Sequence, residues 1–260
     1  MNTSSIIDCG MDGHMHTPLC NHAVGTMEEY VQAALAARLH TICFLEHLEA
    51  GINYEKKIWL NEDDFALYFA EGNWLKKKYS GQLNILLGVE TGYNPEEKEE
   101  LNRMLAAFPW DRVGLSLHFI KFEGRHHNLL TRDKAGIDKL VAQGREEILN
   151  WYYATLIEAL HVIPCDVVCH LDVVLRSVPD IEPLKGQMSQ VAQLLDIMAE
   201  NNIALEVNTS GFAHRQEPFP GYAVITMAKK KGIKLQLGSD AHNPIQVGRH
   251  FEEVCSKIMP

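Results

Sequence analysis

No uninterrupted apolar run in this sequence approaches the ~20 residues that a helix needs to cross a bilayer, so no membrane-spanning segment is expected. Basic residues are scarce: 24 Lys and Arg stand against 34 Asp and Glu, for a formal net charge of −10. No block of Lys or Arg runs beyond three residues. A nucleic-acid polymer is therefore not an expected partner, because backbone phosphates call for a basic face. Small phosphorylated molecules stay open, since bound metal ions would reverse the local field. Repeats and low-complexity segments are absent, and so is any CxxC spacing among Cys9, Cys20, Cys43, Cys165, Cys169 and Cys255. These six read as reduced, mostly buried thiols. Residues Met1–Gly10 show no basic start followed by an apolar run, so no secretory signal is expected and the cytoplasm is the expected compartment.

Hydrophobic residues make up 46% and charged residues 22% of the 260, which suits an ordered core. Short β-rich runs alternate with stretches of helical period. Strands are expected near Cys9–Gly13, Thr41–Leu45, Asn84–Val89, Arg112–Leu117, Asp166–Cys169, Ala204–Val207 and Lys234–Gly238. A helix should begin after Thr26, where Glu29 completes a capping box. Further helices are expected over Glu62–Tyr79, Pro95–Ala107, Gly144–Leu160, Lys185–Asn201, Tyr222–Lys231 and Ile245–Ile258. Pro95 suits a first helical turn and Gly232 a helix stop. Seven strand–helix units without a composition break predict one parallel α/β barrel, with a doubly wound open sheet as the alternative. One long irregular stretch, residues 119 to 142, follows the fourth strand and has the length of a lid or binding loop.

The chemistry lies at the strand ends. His14 and His16 close the first expected strand and His47 the second. Glu90 closes the third, His118 the fourth and His170 the fifth, while Asp240 and His242 follow the seventh. In parallel α/β folds these ends share one face, where active sites sit. Alternation with period two puts both imidazoles of an HxH pair on one side, able to hold a divalent metal with a neighbouring carboxylate. A single such residue would be unremarkable; six of seven strands ending this way is not. His22 lies in a loop that strand reasoning does not place. Glu46 either orients a ligand or caps its strand. Cys20 and Cys169 sit beside proposed ligands, with packing as the default role. His126 and His127 join the site only if the long stretch folds over it.

Asp12-Gly13-His14-Met15-His16-Thr17, Cys20-Asn21-His22-Ala23, Leu45-Glu46-His47, Gly88-Val89-Glu90, Ser116-Leu117-His118-Phe119, Cys169-His170-Leu171-Asp172 and Gly238-Ser239-Asp240-Ala241-His242 together resemble the PHP (polymerase and histidinol phosphatase) superfamily of metal-dependent phosphoesterases. They run in family order from residue 12 to 242. The segments Glu206-Val207-Asn208-Thr209-Ser210-Gly211-Phe212 and Glu217-Pro218-Phe219-Pro220 resemble its histidinol-phosphatase branch.

The resemblance implies a single domain over residues 1–260, a distorted, TIM-like (β/α)7 barrel with a trinuclear metal site at its C-terminal mouth. His14, His16, Glu90 and Asp240 would hold one divalent ion, and Glu90 would bridge to a second with His118 and His170. His22, His47 and His242 would hold a third; zinc, iron and manganese all suit these ligands. The implied reaction is hydrolysis of a phosphomonoester, L-histidinol phosphate first, placing the enzyme in histidine biosynthesis. Nucleotides, sugar phosphates or a phosphodiester are the alternatives. A metal-dependent deaminase or amidohydrolase would share the HxH and the late Asp but has no use for the third cluster. A non-catalytic binding domain would not need the full ligand set.

For the phosphate, the expected binders are Arg176 and Arg215, with Arg125 from the long stretch as a third. The branch usually carries Leu-Arg after Asn-Thr-Ser-Gly, whereas this chain reads Phe212-Ala213-His214-Arg215. Asp172 or His214 would protonate the leaving oxygen, and Glu217 would meet an ammonium group.

Overall fold

The computed structural model describes residues 6–176 and 186–259. The first half runs β1 (Met11–Met15), α1 (Met27–Ala36), β2 (Thr41–Glu49), α2 (Glu62–Lys78), β3 (Asn84–Gly92), α3 (Lys98–Ala107) and β4 (Arg112–Ser116). A hairpin of β5 (Phe119–Phe122) and β6 (Arg125–Asn128) follows, then α4 (Lys134–Ala142) and α5 (Arg145–Val162). The rest comprises β7 (Val167–Val168), α6 (Met188–Glu200), β8 (Ala204–Asn208), α7 (Tyr222–Lys230), β9 (Leu235–Gly238) and α8 (Phe251–Ile258).

Seven strands pair in parallel in the order β1-β2-β3-β4-β7-β8-β9. The two edges then meet: His16 N donates to Ala241 O at 3.0 Å, and Asp240 N to His14 O at 2.8 Å. An order that never reverses has no switch point, so the sheet is a nearly closed (β/α)7 barrel and not a doubly wound one. No helix among the described residues is long and apolar enough to cross a membrane.

Local chemistry sets the element boundaries. Thr26 and Glu29 form the reciprocal cap of α1, and Asn61 and Asp64 do the same for α2. Acids in the first turn of α2 and Lys76, Lys77 and Lys78 in its last complement the helix dipole. Gly232, at φ +75°, ends the run after α7 in a conformation that favours glycine. Inside the barrel, Cys43, Leu45, Val167 and Cys169 pack in a cluster of their own, apart from the main core between strands and helices. That interior is full: a Cβ on Gly114 would lie 2.7 Å from the Cys169 sulfur. The barrel floor thus supports the C-terminal mouth from beneath.

Four expectations need correction. Pro95 falls in a turn, and α3 begins only at Lys98. The stretch from 119 to 142 is mostly ordered as a hairpin and α4; its tight turn places Glu123 and Gly124 at positive φ. The span Ile245–Ile258 is a short 3-10 turn at Pro244–Gln246 and then α8. Cys9 and Cys255 are joined in a disulfide, leaving Cys20, Cys43, Cys165 and Cys169 as free thiols. Sequence separation hid that pair, because only barrel closure brings residue 9 beside α8. The expected helix start at Lys185 lies outside the described residues.

Candidate metal centre and its cavity

Parallel register brings ligand candidates together. His47 on β2 stands directly beside Glu90 on β3. His14, on β1, and His16, just past its end, are fully buried. Their Nε2 atoms face each other at 3.0 Å, and His16 Nε2 lies 3.3 Å from Asp240 Oδ1. Glu90 is the hub: Oε1 is 3.1 Å from His118 Nε2 and 2.7 Å from His170 Nε2, while Oε2 is 2.9 Å from His47 Nδ1 and 3.5 Å from His14 Nε2. His22 and His242 complete the group, their rings 4.4 Å apart. All nine expected ligands therefore lie around one mouth. His47 sits nearer to Glu90 than the set formed with His22 and His242 would require.

The tautomers follow from the partners of the opposite nitrogens. His14 Nδ1 lies 2.7 Å from Glu206 Oε1, and His118 Nδ1 lies 2.7 Å from Glu49 Oε1. Those nitrogens keep the hydrogen, so a cation that displaces the proton on Nε2 would meet a lone pair turned toward the cluster. The Nδ1 atoms of His22 and His242 donate to the carbonyls of Cys20 and Asp240, which frees their Nε2 atoms as well. Glu90 Oε2, His16 Nδ1, His47 Nδ1 and His242 Nε2 are buried and make no hydrogen bond among the described residues. Lone pairs and carboxylate oxygens converging in a dry site need cations between them. The donor set, imidazole nitrogen with carboxylate oxygen, fits borderline divalent ions.

Electrostatics describe the same cluster. Burial opposes the charged form of Glu90, yet His118, His14, His47 and His170 hold it well below the usual carboxylate range. Burial also disfavours a charged His118, but Glu90 and Glu49 outweigh it and raise the imidazole to about 10. Burial, aided by His16, pulls His242 down to about 3.

Three residues in supporting roles were only partly visible in the sequence. Glu49 orients His118. Glu206 holds His14 and also accepts from His170 N at 2.7 Å. Glu46 lies 3.6 Å from His16 Nδ1 and accepts from Thr17 N. An acid inside a buried strand is costly unless paired, and that was the available signal for Glu49 and Glu206. Two ligands need backbone support too. His170 at φ +26° and Asp240 at φ +51° occupy the left-handed region that non-glycine residues avoid. The bonds to Glu206 and to His14 O hold them there.

The cluster opens into a cavity of about 850 Å³. Arg125, His126, His127 and Arg132 line it from the hairpin side, and Arg176, His214 and Arg249 from the barrel. Arg176 Nε is buried with no hydrogen-bond partner among the described residues. Burial, with Arg132 nearby, lowers Arg176 to about 10, which still leaves it cationic at neutral pH. Burial and the surrounding arginines bring His214 down to about 4.

The remaining expectations fail on geometry. Asp172 follows the short strand β7 in a turn, not on a strand face, and both its oxygens accept from Arg215 Nη2, at 2.9 and 3.0 Å. Arg215 also donates to Pro218 O at 2.5 Å and stacks on Phe219, and it does not line the cavity. Asp172 is absent from the lining as well, so neither is placed to act on a phosphate ester there. Glu217 accepts from Tyr222 N at 3.1 Å at the start of α7, away from the cavity. Arg132 and Arg249 line the cavity instead. Both fall in segments without strand-end character, which is why spacing missed them.

The PHP domain family pattern matches residues 12–210. A Deinococcus radiodurans protein named "Probable histidinol-phosphatase" is 31% identical over 252 residues, 95% of this chain and 92% of its own. The Bacillus subtilis histidinol-phosphatase is 29% identical, covering 93% of this chain and 96% of its own. A solved structure of histidinol phosphate phosphatase from Lactococcus lactis, complexed with zinc, L-histidinol and phosphate, superposes with a TM-score of 0.77 at 23% identity over 95% of this chain and 92% of that one.

Proposed function

The chain belongs to the PHP domain family, and on that premise we propose that it is a metal-dependent phosphomonoesterase that hydrolyses L-histidinol phosphate to L-histidinol and phosphate. The observation that carries this reading is one cavity lined by two adjoining sets of side chains. Histidines and carboxylates with atoms unpaired among the described residues form one wall, and Arg132, Arg176 and Arg249 form the other, the last two in the field of Asp240. The histidinol-phosphatases among its relatives supply the substrate.

His14, His16, Glu90 and Asp240 would hold one divalent ion, Glu90, His118 and His170 a second, and His22, His47 and His242 a third, as zinc, iron or manganese. When bound, such ions ionise water near neutral pH and offset charge on phosphoryl oxygens. Glu49 and Glu206 fix the imidazole rings that carry them. Arg176, half-buried and with its Nε unpaired among the described residues, would offer its guanidinium to the phosphoryl oxygens beside Arg132 and Arg249. Arg125 lines the same cavity from the hairpin and can add to that charge. His214 lies within the field of these arginines and is the cavity group suited to hand a proton to the ester oxygen, once phosphate charge has offset that field.

The test is steady-state phosphate release by metal-reconstituted protein from L-histidinol phosphate beside nucleotide and sugar phosphates. A kcat/KM for L-histidinol phosphate far above the others supports the reading. A better ester elsewhere keeps the phosphatase and discards the substrate. No release from any ester, with metal bound, ends the phosphatase reading.

A further inference from the structure

Charged side chains line the cavity in two sets. Arg132, Arg176 and Arg249 gather around His214 and Asp240, next to the ligand cluster. A different set gathers around the Tyr54 hydroxyl, which faces the Asn128 side chain and lies in the field of Glu55, Asp133 and Arg125. Only four carboxylates line the cavity among the described residues: Glu55, Glu90, Asp133 and Asp240. Glu90 and Asp240 are spoken for by the histidines. Asp133 caps α4, its Oδ2 accepting from Gly136 N at 2.9 Å. Glu55 alone has neither a hydrogen bond nor an ion pair among the described residues.

We propose that Glu55, beside Tyr54, is a specificity-determining residue that binds the cationic end of the substrate while the arginine wall and the metal cluster hold its phosphate. This deepens the reading above and rests on it for the phosphate end. An aminoalkyl phosphate carries its two charges at opposite ends, and Glu55 is the lining carboxylate left free to meet the positive one, beside Lys56, Arg125 and Lys139 in the same cavity. Glu217, the acid expected for this task, does not reach the cavity. A free carboxylate that belongs neither to the metal cluster nor to the arginine set contributes discrimination and little to the chemical step.

The experiment compares two small esters, phosphoethanolamine and glycerol 3-phosphate, on wild type, Glu55→Gln and Glu55→Lys, alongside L-histidinol phosphate. The expected result is a ratio of kcat/KM, cationic ester over neutral ester, that falls about ten-fold in Glu55→Gln and further in Glu55→Lys. The fall should appear in KM for the cationic ester, with kcat moving less. A ratio that stays constant overturns the proposal, whether or not absolute rates drop. Should wild type prove to prefer another phosphate ester to L-histidinol phosphate, the substrate reading fails, yet the charge ratio still decides on Glu55.

Discussion

Arg215 and Asp172 hold each other, with one guanidinium nitrogen donating to both carboxylate oxygens while Gly221 N donates to one of them at 3.0 Å. Asp172 is 1% exposed, and burial raises its pKa against the opposing pull of Arg215. Removing the arginine strands a buried carboxylate. Arg215→Met should therefore lower stability by about 3 kcal/mol, read as a shift in the urea midpoint. Inhibition by inorganic phosphate should stay near the wild-type value. Phosphate binding that collapses while stability holds would return Arg215 to the substrate site.

Glu49 should matter through His118 alone. Glu49→Gln keeps the shape but removes the charge that orients the ring at 2.7 Å. Metal affinity should fall about 10–100-fold, measured by competition with a chromophoric chelator. Unchanged affinity would mean that His118 is not a ligand or needs no orientation.

Gly238 offers a test that substitutes no ligand, though its side chain would press on both Glu206 and His14. A Cβ there would lie 2.1 Å from Glu206 Oε1 and 2.8 Å from His14 Cβ. Gly238→Ala should push Glu206 off His14 and His170 N, lowering metal stoichiometry in a protein that keeps its far-ultraviolet circular dichroism. Full metal content by elemental analysis would show that Glu206 is not the support described.

Much of this was legible because barrel ligands sit at strand ends, and apolar strands ending in His or Glu mark themselves. The register that sets His47 beside Glu90 follows from that alone. His22 became placeable only through family resemblance, since its position depends on a 3-10 turn and on one hydrogen bond to Cys20 O. Arg132 and Arg249 were illegible for another reason. Which surface arginine faces a cavity depends on how the hairpin and the segment before α8 fold back, and no periodicity encodes that. Arg215 looked right by position and was wrong, because the turn after β7 brings Asp172 under it. Cys9 and Cys255 show the same limit: their pairing follows from closure, not spacing.

Arg176 should carry phosphate affinity. Its Nε, unpaired among the described residues, and its place beside Asp240 make it the best-aimed cation in the cavity. Arg176→Met should weaken inhibition by inorganic phosphate about 10–100-fold, as expected for a lost hydrogen bond to a charged group, with metal content intact. Arg249→Met should do less, because its Nε and Nη2 already donate to Ser239 O at 3.1 and 2.7 Å. Equal inhibition in all three proteins would remove the arginine wall from the mechanism.

His214 supplies the pH prediction. Burial, then Arg176, Arg132, Arg249 and Arg215, lowers its pKa from an ordinary 6.5 to about 4, so the free enzyme holds it neutral at pH 7. The sign for stability follows from that depression. Below pH 6.5 the unfolded chain takes up a proton that the folded protein refuses, so this residue's contribution is lost as pH falls toward 4. Phosphate among the arginines cancels the field that repels the proton. Ring NMR signals, with His214 identified by their loss in His214→Gln, should show the titration moving upward on adding inorganic phosphate. The same upward movement should appear without phosphate in Arg249→Met, since one positive neighbour is gone. A midpoint that ignores both changes would show that the arginines do not act on His214, and the ester oxygen would need another proton donor.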